Sequence, residues 1–243
     1  MPQSQTALIT GAAHRIGQAL CLALHQIGFD VAIHCHHSNV AANTLALSLN
    51  RARPDSAKTF QADLTQSNAV KQCCFDVIEW RPSLSVLINN ASMFVDDNSA
   101  QEKWDNLFNC NVKAPYLLSN YCFETLKENN GCIINLTDIY AKFPLTNYGV
   151  YCMTKAALES QTKQLAKQFS PHVRVNAIAP GAILWPKNSN ELSDDIKQKL
   201  INNTPLKRIG GTKPIIHAAL HFIENTFLTG ISINVDGGRS LKN

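Results

Sequence analysis

The sequence Thr6-Ala-Leu-Ile-Thr-Gly-Ala-Ala-His-Arg-Ile-Gly17 carries the strongest indication of the fold. Its first five residues predict a β-strand, and the following run Ala19–Leu24 has the apolar pattern of a helix. A glycine turn between a strand and a helix places backbone N–H groups at a helix N-terminus, where they can bind a pyrophosphate. Glycine lets the phosphate approach the backbone. The alternative is a tight turn that binds no ligand.

Short β-like runs alternate with helical runs along the rest of the chain. This alternation predicts a single α/β domain over residues 1–243, a Rossmann-type, doubly wound parallel sheet between two layers of helices. Right-handed crossovers predict the strand order 3-2-1-4-5-6-7. Ligands bind at the carboxyl ends of such strands, so motifs that follow strands should converge on one site. The predicted strands are Thr6–Thr10, Asp30–Cys35, Ala57–Gln61, Ser83–Ile88, Cys132–Thr137, Val173–Ala177 and Ser232–Val235.

The composition narrows the possible classes of protein. With 243 residues, 45% hydrophobic and 16% charged, the chain is typical of one globular domain. The net charge of +4 comes without a long Lys/Arg cluster, so we expect no nucleic-acid partner, and the charge favours an anionic cofactor. No apolar stretch has transmembrane length, and the first residues lack the pattern of a signal peptide. We therefore expect a cytoplasmic protein without a membrane partner.

Eight cysteines are scattered along the chain without a Cys-x-x-Cys motif or a zinc-like Cys/His spacing. Most lie among apolar residues, as reduced, buried thiols do. The histidines of the segment His34-Cys-His-His37 suggest a metal site as an alternative. No carboxylate or thiolate completes such a site, so we predict that no metal is bound.

The segment Tyr151-Cys-Met-Thr-Lys155 places a tyrosine and a lysine on one face of a helix. A neighbouring ammonium favours the phenolate, which lowers the pKa of the tyrosine and makes it a usable acid or base. Tyr140 and Tyr148 have no lysine four residues later, so neither is predicted to play this role. A catalytic thiol at Cys152 is a weaker alternative.

With Asn89-Asn-Ala91 and Pro180-Gly181, these motifs resemble the short-chain dehydrogenase/reductase superfamily over the whole chain. Within it, the sequence looks most like the pteridine reductases, including bacterial enzymes similar to dihydromonapterin reductase. The residues that carry this narrower resemblance are Arg15, the turn His36-His-Ser38, the segment Asn90-Ala-Ser-Met-Phe94, and Asp138. Most members of the superfamily have glycine in place of Arg15 and serine in place of Asp138.

We expect the cofactor to be NADPH. Sites that prefer NAD usually have an acidic residue after the second strand, and the turn His34-Cys-His-His-Ser38 has none. His37 and Ser38 can donate to a 2′-phosphate, and Arg15 should add positive charge nearby. The alternative is a solvated turn that tolerates either cofactor. The motifs and the resemblance together imply these cofactor-binding residues: Gly11, His14, Arg15, Ile16, His36, His37, Ser38, Asp63, Leu64, Asn90, Ala91, Tyr151, Lys155, Pro180 and Gly181.

The resemblance also implies catalytic roles. Tyr151 would donate the proton, Lys155 would hold the nicotinamide ribose and lower the tyrosine pKa, and Asn111 would link a water chain to that lysine. Asp138 suggests the substrate class, because an ionised carboxylate cannot donate to a carbonyl oxygen but can accept from Tyr151. Such a pair suits proton delivery to the nitrogen of a ring C=N bond.

Two further residues favour a flat heteroaromatic substrate. Phe94 could stack on the ring, and Ser92 could bond an amino-pyrimidinone edge. The alternatives are a core aromatic and a turn residue. The predicted substrate-binding set is Arg15, Ser92, Phe94, Asp138 and Tyr151.

The predicted function is NADPH-dependent reduction of a dihydropterin, with dihydrofolate as a further candidate substrate. One alternative is a carbonyl reductase, such as a 3-oxoacyl thioester reductase, and another is a non-catalytic nucleotide-binding protein on the same fold. By resemblance we expect a homotetramer assembled through helices over residues 102–128 and 150–169. Residues 181–192 lack periodicity and are predicted to form a loop that could act as a lid.

Overall fold

The computed structural model describes residues 5–185 and 192–241. The central strands are buried along their whole length because helices cover both faces of a parallel sheet. Seven parallel strands form one sheet with the order β3-β2-β1-β4-β5-β6-β7, which confirms the predicted fold class and topology. The strands are β1 (Thr6–Ile9), β2 (Asp30–Cys35), β3 (Ala57–Gln61), β4 (Leu84–Asn89), β5 (Cys132–Leu136), β6 (Arg174–Pro180) and β7 (Ser232–Val235).

Helices pack on both faces of the sheet, and alternate residues of a strand point into the two resulting cores. In β1, Ile9 belongs to one core and Leu8 to the other. The helices are α1 (Arg15–Gln26), α2 (Asn39–Ala52), α3 (Ser67–Trp80), α4 (Asp97–Phe108), α5 (Ala114–Tyr121), α6 (Phe123–Glu128), α7 (Gly149–Phe169), α8 (Asp194–Asn202) and α9 (Lys213–Glu224). Helices α1, α2 and α9 line the first core, and α3, α5 and α7 line the second.

The helix predicted over residues 102–128 is not continuous. A π turn, Asn109–Lys113, separates α4 from α5, and a further break lies at Cys122, between α5 and α6. Pro115 has no N–H to donate to the Asn111 carbonyl, which removes one α-helical hydrogen bond at the π turn. The other predicted helix is confirmed as α7.

Two further predictions concern the end of β6 and the loop that follows it. Strand β6 extends to Pro180, three residues beyond its predicted end. Half of the predicted loop over 181–192, residues 186–191, lies outside the described residues, so the lid hypothesis stays untested. In the part of the chain that is described, no helix combines the length and apolar character needed to cross a membrane.

The eight cysteines are free thiols, and all are buried. Burial raises the pKa of the Cys132 thiol to about 11, and Cys21 is shifted in the same direction. The Sγ atoms of Cys74 and Cys122 lie 2.9 Å apart between α3 and the end of α5. These side chains pack as small hydrophobic groups, as their apolar surroundings in the sequence predict.

Candidate active site

The predicted site residues converge at the carboxyl edge of the sheet. The glycine turn follows β1, the segment 90–94 follows β4, Asp138 follows β5 and Gly181 follows β6. Tyr151 and Lys155 lie in the first two turns of α7, which packs against β6 and the turn after β5. The site is therefore built from segments that are distant in sequence and adjacent in the sheet.

The turn after β1 and the first turn of α1 each contain one position that has room only for glycine. Gly11 has φ +61°, and a Cβ there would lie 2.9 Å from the Ala91 Cα atom. A Cβ at Gly17 would lie 2.8 Å from the Ala12 Cα atom. His14 precedes α1 without using its side chain as a cap, so the first N–H groups of the helix, including that of Ile16, have no capping side chain. Together these features form a cradle for an anionic group at a helix N-terminus.

Two buried or half-buried polar side chains hold this cradle against β4. The Thr10 hydroxyl accepts from the backbone N–H groups of Asn90 and Ala91, at 2.9 and 3.0 Å. The Asn90 side chain donates to the carbonyls of Thr10 and Gly11, at 2.8 and 3.0 Å. The predicted cleft residues Asn90 and Ala91 therefore lie directly beside the glycine turn.

His34 is a structural residue that the sequence did not assign. The Gly11 N–H donates to its Nδ1 atom at 3.1 Å, so the other ring nitrogen carries the proton and donates to the Ala62 carbonyl at 3.1 Å. Burial lowers the pKa of His34 to about 4, which keeps the ring neutral. Both nitrogens are engaged and cannot ligate a metal. The described residues include no cluster of three or more His, Cys, Asp or Glu side chains suited to a metal ion.

The turn after β2 presents two histidines to solvent. The His36 and His37 rings stack with centroids 3.5 Å apart, and the His36 Nε2 atom lies 3.9 Å from the carboxylate of Asp63. Ser38 precedes α2, and its hydroxyl makes no capping hydrogen bond. The turn thus offers imidazole and hydroxyl donors. Asp63, which follows β3, is the nearby acidic group, and the turn after it hydrogen-bonds its Oδ1 atom.

Arg15 does not lie where the sequence interpretation placed it. Its guanidinium donates to the carbonyls of Leu184 and Trp185, at 3.1 and 2.9 Å. Those residues follow β6, which lies on the opposite side of β1 from β2. The structure therefore does not bring the Arg15 charge to the His37–Ser38 turn, and the expectation that it stands beside a 2′-phosphate is wrong. Its backbone, at φ +55°, still forms the start of α1.

A tyrosine–carboxylate pair occupies the centre of the site. The Tyr151 hydroxyl donates to the Oδ2 atom of Asp138 at 2.8 Å, and the Tyr140 N–H donates to Oδ1 at 3.0 Å. Burial raises the pKa of Asp138. Burial, followed by the Asp138 charge, raises the pKa of Tyr151 well above its ordinary value. The phenol therefore keeps its proton at neutral pH.

Lys155 lies beside the ring of Tyr151, but its hydrogen bond goes to the backbone. Its Nζ atom donates to the Leu136 carbonyl at 2.9 Å and lies 5.7 Å from the centroid of the tyrosine ring. Burial lowers the pKa of Lys155 to about 8. The lowered tyrosine pKa expected from the lysine is wrong for this structure, because the burial and the carboxylate act in the opposite direction.

Asn111 joins two parts of the site from within the π turn. Its side chain accepts from the Met93 N–H at 2.7 Å and donates to the Met93 carbonyl at 2.9 Å. It also donates to the Thr154 hydroxyl at 3.1 Å, and that hydroxyl donates to the Tyr151 carbonyl at 2.7 Å. Asn111 thereby fixes the segment after β4 relative to α7.

Phe94 is a surface aromatic rather than a core residue, since 46% of it is exposed. Its ring stacks on Tyr148 with centroids 4.4 Å apart and meets Tyr151 edge-on at 4.7 Å. Ser92 is exposed and donates only to the neighbouring Met93 carbonyl, at 3.3 Å. Tyr148 thus belongs to the site although it lacks the lysine spacing, and its position three residues before Tyr151 is the signal that could have indicated it.

Asp97 is a second residue that the sequence did not indicate. Its carboxylate accepts from the N–H groups of Gly149 and Val150, at 3.0 and 3.2 Å, and so caps α7 from the start of α4. This contact fixes the helix end that carries Tyr151. No local motif indicates it, because cap and helix are 52 residues apart.

The remaining predicted residues include two that act through their backbones. Gly181, after Pro180, donates its N–H to the Val235 carbonyl at 3.0 Å, and a Cβ there would lie 2.6 Å from the Cβ of Asp236. The Leu64 side chain is buried in the second core, so a contact with a ligand would have to come from its backbone. Cys152 is also buried, which raises its thiol pKa and argues against a catalytic thiolate.

Comparisons with known proteins agree with this geometry. Residues 11–240 match a family model described as enoyl-(acyl carrier protein) reductase. The chain is 30% identical to pteridine reductase 1 of Leishmania tarentolae, covering 99% of this chain and 98% of that protein. It is 30% identical to dihydromonapterin reductase of Escherichia coli, with 99% and 98% covered. It is 29% identical to a 3-oxoacyl-[acyl-carrier-protein] reductase of Staphylococcus epidermidis, with 97% and 98% covered.

Proposed function

The chain belongs to the short-chain dehydrogenase/reductase family of oxidoreductases, and from that premise we propose that it reduces dihydropterins with NADPH. The observation that carries the proposal is the 2.8 Å hydrogen bond from Tyr151 to Asp138. A carboxylate replaces the serine hydroxyl that most relatives direct at a carbonyl substrate. The names of two relatives, a pteridine reductase and a dihydromonapterin reductase, support the same substrate class.

The residues around the glycine turn fit a dinucleotide phosphate. The cradle at Gly11, which a Cβ would fill, and the start of α1 suit the pyrophosphate. His36, His37 and Ser38 would hold the 2′-phosphate through imidazole and hydroxyl donors, and this turn has no acidic residue to repel it. When bound, the cofactor supplies a hydride to a ring carbon of the substrate. Lys155 would bond the nicotinamide ribose.

The protein's own part in the reaction is to deliver a proton to the ring nitrogen of the C=N bond. The raised pKa of Tyr151 keeps the phenol protonated, so it can act as the acid. The Asp138 carboxyl lies 2.8 Å from that phenol, and burial raises its pKa. In this proposal the phenol gives its proton to the ring nitrogen, and a proton carried by Asp138 then restores the phenol across the same hydrogen bond.

Aromatic and polar groups beside the pair suit a flat ring. Phe94 is half exposed and is already held by Tyr148 and Tyr151, so its orientation is fixed before a ligand binds. Ser92 would bond the amino-pyrimidinone edge. Arg15 would act near the substrate through the side of the site formed by Leu184 and Trp185, where its guanidinium lies.

The test compares two substrate classes. We expect NADPH oxidation with dihydromonapterin or dihydrobiopterin, and at least about tenfold lower kcat/KM with an acetoacetyl thioester. Asp138→Ser should lower pterin reduction and raise carbonyl reduction, because it restores a hydroxyl donor. Good turnover of the thioester with no pterin reduction would favour the 3-oxoacyl reductase alternative. No turnover with any substrate would favour a non-catalytic protein.

We also propose that the chain forms a homotetramer in a reducing compartment, the cytoplasm. Helices α4, α5 and α7 expose several large side chains, among them Trp104, Tyr116 and Met153. A cleft of about 490 Å³ lies between Tyr116 and Gln161. Such a surface suits a second copy of the chain. A sedimentation mass of one chain would contradict this part of the proposal.

A further inference from the structure

A second cavity lies beside the tyrosine–carboxylate pair and has no part in the chemistry described above. Its volume is about 420 Å³, within the range of small-molecule sites. The short turn that follows Asp138 forms one wall, and the C-terminal turn forms another. Its lining includes Tyr140, Lys142, Phe143, Asn203, Arg239 and Ser240. It therefore combines aromatic surface with two basic side chains.

Arg239 has an unused donor in this cavity. Its Nη2 atom donates to the Tyr140 hydroxyl at 3.2 Å. Its Nη1 atom is buried and has no hydrogen-bond partner among the described residues. A buried guanidinium nitrogen is stabilised by an acceptor, and a ligand oxygen would supply one.

The acidic groups near this cavity are engaged elsewhere. The Asp236 carboxylate accepts from the backbone N–H groups of Gly238 and Ser240, at 2.9 and 2.8 Å. Lys142 lies 2.8 Å from the carboxylate of Glu159, which neutralises its charge. Among the described residues, Arg239 is therefore the cation that the cavity can offer to an anion.

We propose that this cavity binds an anionic tail, a phosphate or a carboxylate, of the dihydropterin substrate, and that Arg239 holds it. This inference rests on the proposed function. Tyr140 connects the two places, because its N–H bonds Asp138 while its hydroxyl bonds Arg239. Arg239 is close enough to Asp138 for its charge to lower the carboxyl pKa in opposition to burial. A tail bound at Arg239 would extend from a ring seated at Asp138 and Tyr151.

The experiment compares three dihydropterins: dihydroneopterin, its monophosphate, and dihydrofolate. The first has an uncharged tail, the second a phosphate and the third carboxylates, so the series distinguishes the two sources of negative charge. We expect Arg239→Gln to lower kcat/KM for one or both anionic substrates about tenfold or more, with dihydroneopterin changed less than about twofold. Arg239→Lys keeps the positive charge and should therefore retain part of the kcat/KM for the anionic substrates. Arg51→Gln, on the exposed end of α2, removes the same charge outside the cavity and should leave all three rates unchanged.

The outcomes separate this inference from the proposed function. If dihydroneopterin is reduced but Arg239→Gln changes all three substrates equally, or none, the tail site is wrong and the proposed function stands. If no dihydropterin is reduced, both fall. If Arg239→Gln fails to fold, Arg239→Lys decides. If that variant changes kcat/KM by the same factor for the anionic and the uncharged substrates, the tail site is overturned.

Discussion

Lys155 should make the folded protein less stable at neutral pH than a neutral residue would. It is 3% exposed, and burial lowers its pKa from 10.5 to about 8. Between those values the unfolded chain binds the proton more strongly than the folded chain, so stability rises with pH through this window. The penalty is fully present below pH 8. It amounts to roughly 3 kcal/mol at pH 7 and to less than half of that at pH 9.5.

Lys155→Met removes the charge at similar volume. It also removes the hydrogen bond to the Leu136 carbonyl, which costs roughly 1 kcal/mol. We therefore expect the variant to be inactive yet more stable than the wild type by about 2 kcal/mol at pH 7, or about 4–8 °C in Tm. The difference should shrink to well under about 1 kcal/mol at pH 9.5.

Calorimetry of the cofactor-free proteins at the two pH values measures this difference. Lys163→Met is the matched control, because Lys163 is exposed two turns further along α7 and should show no such pH dependence. A Lys155→Met variant that is less stable than the wild type at pH 7, or a stability difference that does not change with pH, would refute the burial penalty.

Two predictions concern catalysis and cofactor choice. Tyr151→Phe should lower kcat by roughly two to four orders of magnitude through loss of the acid while NADPH binding, followed by fluorescence titration, persists; Tyr121→Phe, in α5, should retain activity. Near-normal turnover by Tyr151→Phe would mean that another group supplies the proton. NADPH should exceed NADH by at least about tenfold in kcat/KM, about 1.4 kcal/mol, and His37→Asp should erode that ratio by repelling the 2′-phosphate. Equal use of both cofactors by the wild type would contradict the role of the turn.

The sheet was predictable because its central strands are buried on both faces. Runs such as Leu84–Ile88 are then largely apolar, and the right-handedness of the crossover connections determines the order of the strands. The interruption of the helix predicted over 102–128 was not predictable. Pro115 alters the hydrogen-bond pattern there, and apolar periodicity does not indicate such a change. The end of β6 was missed because it includes Pro180, which usually marks a loop.

The site was predictable where spacing along the chain decides proximity. Asp138 and Tyr151 meet as expected because the connection from β5 to α7 spans only residues 137–148 and returns the chain to the same edge of the sheet. Side-chain direction was not predictable: Arg15 and Lys155 both bond backbone carbonyls that only the folded chain brings near them. The same holds for Asp97, whose partners lie on another helix.

The π turn at Asn109–Lys113 joins α4 to α5, and its position limits the insertions and deletions that this part of the chain can tolerate. An α-helix rotates by about 100° per residue, so a one-residue insertion or deletion there would turn α4 relative to α5 by that angle. The rotation would carry Asp97 away from the N-terminus of α7 and Asn111 away from Met93. The segment from Asp97 to Asn111 is thus fixed at both ends by hydrogen bonds to other parts of the site, so its length cannot change freely. Insertions and deletions are better accommodated in surface loops than between α4 and α5. This holds although the π turn is distant in sequence from Tyr151.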